Sequence, residues 1–108
     1  QNNNFDILKL LFKDREVKNM DKKKVFEKLD AAKESQKEIW IGILGPSKIT
    51  KEYKEIFRIK YDYKYEHGSL SVIPIGSNTK ILIEISTILD FEESSSEQLT
   101  VIINEERA

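Results

Sequence analysis

The chain contains no cysteine, a single histidine, two prolines and four glycines in 108 residues. Without cysteine there is no disulfide, no zinc–thiolate site and no thiol nucleophile. The absence does not assign a compartment. The lone histidine, His67, cannot make a zinc site without further histidines or cysteines beside it, and a Ser–His–acid triad would need it held in a cleft. No apolar run approaches the roughly 20 residues that a membrane-crossing helix requires. No signal-peptide pattern is visible, and the chain opens on Gln1 rather than Met. Gln1-Asn2-Asn3-Asn4 suits either the start of a processed export product or a trimmed segment, so cytoplasmic and exported settings both stay open.

What is present describes a globular chain with a heavily solvated exterior, since 39% of residues are hydrophobic and 34% charged. The length fits one domain, residues 1–108, able to bury roughly 65% of the surface its unfolded chain exposes. Usage leans to Ile, Lys, Glu and Asn over Ala, Arg and Gly, which accompanies AT-rich coding DNA. The net charge of −1 conceals an asymmetry. Residues 1–37 hold ten Lys/Arg against seven Asp/Glu, whereas residues 67–108 hold two against seven. A chain basic at its front and acidic at its back can fold into an electrically polarised molecule.

Apolar spacing predicts the elements. Asn4 can cap a helix with Phe5, Leu8, Leu11 and Phe12 on its buried face. Asp21 or Asn19 can open a second, with Val25, Phe26, Leu29 and Ala32 on one stripe. From Glu38 the period changes to two. Residues 39–44 are apolar on both faces and read as a central strand in which Gly42 leaves room for a neighbouring ring or a bend. Gly45-Pro46-Ser47 stops it. A helical turn is expected near 50–55, running into the most regular strand, 57–66, where polar and apolar residues alternate without error. His67-Gly68 makes a hairpin turn, and Ser69–Ile75 returns as a strand that is an edge or ends at Pro74. Lys80–Ile85 is a fourth strand with Ile81, Ile83 and Ile85 inward. Residues 90–97 read as an acidic, serine-rich loop, and Leu99–Ile103 as a fifth strand before a charged tail.

The fold class expected is α+β, two N-terminal helices packed on a mostly antiparallel β-meander of about five strands. The candidate chemistry is sparse. Tyr61, Tyr63 and Tyr65 share one face of the 57–66 strand, a platform on which nucleobases could stack. Arg58, Lys60 and Lys64 would then point to the other face, so the charge that would follow phosphates is turned away from the rings, and tyrosine equally suits a half-buried strand. Lys22, Lys23 and Lys24 form a basic patch in the first turn of a helix, where the dipole disfavours positive charge. The acidic stretch Asp90, Glu92, Glu93 and Glu97 lacks the ligand spacing and internal glycine of a calcium loop. Gly45-Pro46-Ser47-Lys48 lacks the glycine spacing of a phosphate loop. No catalytic residue, cofactor or metal ligand is assigned.

These features favour a non-enzymatic protein–protein interaction module, either an assembly subunit or a small inhibitor or immunity-type factor. Its partner is another protein or a second copy, with Lys22, Lys23, Lys24, Tyr61, Tyr63 and Tyr65 as candidate contact residues. The strand ending at Pro74 and the C-terminal strand are the expected open edges. Two alternatives belong to other classes: nucleic-acid binding through the lysine-rich helix, and a curved sheet enclosing a small apolar ligand oriented by tyrosine hydroxyls.

Overall fold

The structure, a computed structural model, describes residues 21–45 and 52–105. Within them lie α1 (Lys22–Glu34), β1 (Glu38–Leu44), β2 (Tyr53–Ile59), β3 (Lys64–Glu66), β4 (Ser69–Val72) and β5 (Ile81–Glu84). A 3-10 turn (Ile85–Thr87), β6 (Ile88–Ser95) and β7 (Gln98–Ile103) follow. The architecture is α+β, with a four-stranded sheet in the order β2-β1-β7-β6 and a three-stranded sheet in the order β3-β4-β5. The expected N-terminal helix over Phe5–Phe12, the stop at Pro46-Ser47 and the end of the charged tail lie outside the described residues.

Both ends of α1 are closed by local chemistry. Asp21 accepts the Lys24 N–H at 2.9 Å as N-cap. At the other end Gln36 adopts φ 59°, while the Gln36 N–H reaches the Lys33 carbonyl and the Lys37 N–H the Ala32 carbonyl. This is a Schellman ending made without glycine. Val25, Leu29 and Ala32 are buried, as their spacing predicts.

The strands depart from a five-stranded meander in three places. First, β7 does not continue an up-and-down path. It inserts between β6 and β1, antiparallel to the one and parallel to the other. Leu99 to Ile103 are all buried, so a run with no polar face takes the interior of the sheet. Second, residues 90–95, expected in a loop, belong to β6, where Phe91 faces Val101 and Glu93 faces Leu99. Only one face of that strand meets apolar neighbours, which leaves its sequence too polar to read as a strand. Third, the regular 57–66 segment is two strands in two sheets, and residues 53–55 are strand, not helical turn.

That third departure is a corner, not a break. Lys60 N–H bonds the Ile73 carbonyl and Ile75 N–H the Arg58 carbonyl, while further on Lys64 faces Ser71 and Glu66 faces Ser69. Four residues of advance from Lys60 to Lys64 therefore match two on the returning strand, and the surplus around Tyr61–Tyr63 bends the chain from one sheet to the other. Pro74 opposes Ile59 between those two hydrogen bonds, so no donor is asked of it on that side, and on its other side β5 has already ended. His67 and Gly68, at φ 47° and 84°, make the two-residue hairpin turn with both central φ positive.

The core is one cluster drawing on the helix and both sheets, with Leu29, Ile39, Ile41, Ile59, Leu70, Val72, Ile88, Val101 and Ile103 fully or nearly fully buried. Each large aliphatic side chain so buried contributes roughly 1.5–3 kcal/mol.

Candidate functional site

The three tyrosines expected on one strand face serve the helix instead. Tyr61 donates its hydroxyl to the Lys37 carbonyl. Tyr63, buried, donates to Asp30 at 2.6 Å, and its ring meets Phe26 at 5.8 Å. Tyr65 is exposed, with the Lys22 ammonium 4.2 Å from its ring centre. The partners run backwards, from Lys37 just beyond α1 to Asp30 and Lys22 within it, as the tyrosines run forwards, so the stripe is a rail on which the helix and its C-terminal turn are seated. Burial first, then the Asp30 hydrogen bond and charge, raise the Tyr63 pKa well above that of an ordinary phenol. With the Tyr61 and Tyr63 hydroxyls committed internally, neither is left to orient a ligand.

Lys22, Lys23 and Lys24 do occupy the first turn of α1, all exposed and with no acidic residue in that turn. Lys22 gains a partner in Tyr65, the one pairing the fold makes between the lysine and tyrosine candidates. Lys24 and Lys28 line a cleft with Glu27, Asp90 and Phe91, so positive and negative charge are mixed there.

His67 is exposed at the hairpin tip. Among the described residues no group of acids and histidine is placed to hold a metal ion, and no helix is long and apolar enough to cross a membrane.

The most distinctive surface is one for which the sequence offered no motif. Neither strand expected to be an open edge is one: β7 lies between β1 and β6, and β4 between β3 and β5. Both are buried over most of their length, Leu70 to Val72 in β4 and Leu99 to Ile103 in β7. Among the described residues the smaller sheet has two edges, β3 and β5, and β5 carries the exposed aliphatic side chains. Its Ile83 is buried as expected, but Ile81 is 36% exposed and Leu82 55% exposed. Beside it runs a groove of about 430 Å³, floored by Ile43, Phe57, Ile83 and Ile103 and carrying Glu55, Glu84 and Glu105.

Backbone polarity at this edge follows from the hairpin. Glu66 and Ser69 flank its two-residue turn, so Ser69 and Ser71 present their backbone groups to β3, and Leu70 and Val72 present theirs to β5. Leu70 faces Ile83 and Val72 faces Ile81, and Ile85 N–H bonds the Gly68 carbonyl at 3.1 Å. Ile81, Ile83 and Ile85 therefore spend their backbone groups inward, while Leu82 and the Glu84 N–H face the open edge and the Glu84 carbonyl accepts the Thr87 hydroxyl at 2.6 Å. Lys80, the residue before β5, holds Glu66 by two contacts at 2.9 and 3.0 Å. That ion pair lowers the Glu66 pKa. Compared with known proteins, the chain matches no family model, no curated protein and no solved structure.

Proposed function

We propose that the chain is a non-enzymatic protein–protein interaction module, an assembly subunit or small inhibitor, that docks an extended polypeptide segment along β5. One observation carries this reading: β5 is an edge strand that keeps Ile81 and Leu82 exposed beside an apolar groove with Glu55 and Glu84, where Glu105 is already paired to Lys54 at 2.7 Å. Proteins usually blunt such edges with charge, proline or a covering element, because unpaired backbone groups flanked by apolar side chains recruit another strand. Main-chain hydrogen bonds would supply affinity, and the groove would select apolar side chains flanked by lysine or arginine.

The test uses labelled twelve-residue peptides alternating isoleucine with lysine, with fluorescence anisotropy as the readout. Saturable binding to the wild type that is lost in Leu82→Lys supports the reading. Binding that Leu82→Lys leaves unchanged, or no binding at millimolar protein, contradicts it.

Nucleic-acid binding through Lys22, Lys23 and Lys24 has less behind it, because Lys22 is engaged by Tyr65 and Glu27 and Asp30 follow on the same helix. It requires an affinity that falls steeply with salt.

A further inference from the structure

We infer that the occupant of the β5 edge is β5 of a second copy of this chain, paired antiparallel about a two-fold axis through Leu82. This rests on the docking reading above and names its partner.

The inference comes from register. A two-fold antiparallel pairing is centred either on a residue whose own N–H and C=O point outward, which exchanges both bonds with its symmetry mate, or on a residue of a non-hydrogen-bonded pair. Centring on Ile81 or Ile83 leaves Glu84 without an opposite charge across from it, so the outward-pointing residues decide. Along β5 the outward-pointing residues are Leu82 and Glu84, and Lys80 immediately precedes the strand. Centring on Glu84 sets two carboxylates opposite each other, and centring on Lys80 sets two ammonium groups opposite each other. Like charges directly opposed across a strand pair are destabilising. Centring on Leu82 instead places Leu82 against the second copy's Leu82, and Lys80 against its Glu84, twice.

Leu82 presents both backbone groups outward and Glu84 its N–H, so this register also pairs the open edge of β5. Lys80 holds Glu66 through two contacts to a single carboxylate, and an ammonium has three N–H donors, leaving one for a second carboxylate. Glu84, which adds negative charge to the groove, then faces a lysine. The side chains of Lys80, Leu82 and Glu84 share a face of the strand, so the apolar contact at the centre is flanked by an ion pair on each side. The two small sheets become one of six strands in the order β3-β4-β5-β5-β4-β3.

The test is molar mass by light scattering on a size-exclusion column over a hundredfold range of concentration, with circular dichroism to verify folding. The wild type is expected at twice the chain mass at the upper end. Glu84→Lys opposes lysine to lysine twice and should weaken the dimer at least tenfold. The exchange Lys80→Glu with Glu84→Lys restores opposite charges and should restore the dimer. Leu82→Pro removes one outward N–H that β4 does not use and should give a folded monomer.

A dimer indifferent to Glu84→Lys and to Leu82→Pro overturns the inference by locating the interface elsewhere. A wild type that is monomeric throughout but binds the isoleucine–lysine peptides in a Leu82-dependent way overturns self-pairing alone. A monomer that binds none of them overturns both readings.

Discussion

The ring of Tyr53 lies over the backbone of Gly42, so that a Cβ at Gly42 would stand 2.6 Å from Tyr53 Cε1. A strand interior ordinarily disfavours glycine, and here the missing side chain is the seat of a ring from the neighbouring strand. Burial first, and the Glu92 carboxylate second, raise the pKa of the Tyr53 hydroxyl. Gly42→Ala should therefore destabilise the protein by about 1–3 kcal/mol, the usual range for overpacking. In a Tyr53→Ala background the same change should cost close to nothing. Urea unfolding of the four proteins in the cycle measures this, and equal costs in both backgrounds would show that the ring is not the obstacle.

Gln36 holds the left-handed position of the Schellman ending at φ 59°. A side chain there is disfavoured by roughly 1–2 kcal/mol, against a smaller entropic cost for glycine. Gln36→Gly should raise stability by about 1 kcal/mol, read as a higher midpoint in urea with an unchanged slope.

Tyr63 sets a pH dependence at the alkaline end. Its folded pKa is raised above that of the unfolded chain. The stabilisation is therefore complete below the ordinary tyrosine value of about 10 and is lost as pH rises beyond it. Tyr63→Phe also deletes the bond to Asp30 and should cost about 1–2 kcal/mol at neutral pH. Thermal melts from pH 7 to 11 should then show a shallower alkaline fall in the variant than in the wild type.

Lys23 sits in the first turn of α1 with its neighbours Lys22 and Lys24. If those charges do nothing for the fold, Lys23→Glu should stabilise it by about 0.3–1 kcal/mol through the helix dipole. A loss of stability would instead reveal a structural role for Lys23 that its exposure does not suggest.

The extent to which the fold is legible in the sequence follows a physical line. Short-range signals carry through: the Asp21 cap, the Val25–Leu29–Ala32 stripe, the His67-Gly68 turn, the end of regular pairing before Pro74 and the room left at Gly42. What escapes them depends on partners distant in sequence. The alternation of 57–66 is real on both sides of the corner, but periodicity cannot report that the surplus residues near Tyr61–Tyr63 carry the chain into a second sheet. Asp90, Glu92 and Glu93 look like loop because their strand is supported by Phe91 and by β7 rather than by its own apolar content. The β5 edge is invisible for a related reason. Lys80-Ile81-Leu82-Ile83-Glu84 reads as an ordinary buried strand, and only the order β3-β4-β5 leaves Leu82 uncovered. The tyrosine and lysine candidates were conspicuous in sequence for their regularity, and the structure gives most of them internal partners.

The most direct measurement is backbone amide exchange, resolved by residue, across Ile81–Ile85 at low and high protein concentration. At low concentration Ile83 and Ile85, bonded toward β4, should exchange slowly, while Leu82 and Glu84 exchange at the rate of open backbone. At high concentration Leu82 and Glu84 should become protected together. Protection of both at the lowest concentration, or of neither once the measured mass has doubled, would contradict a β5 edge that is open in the monomer and closed by a second strand.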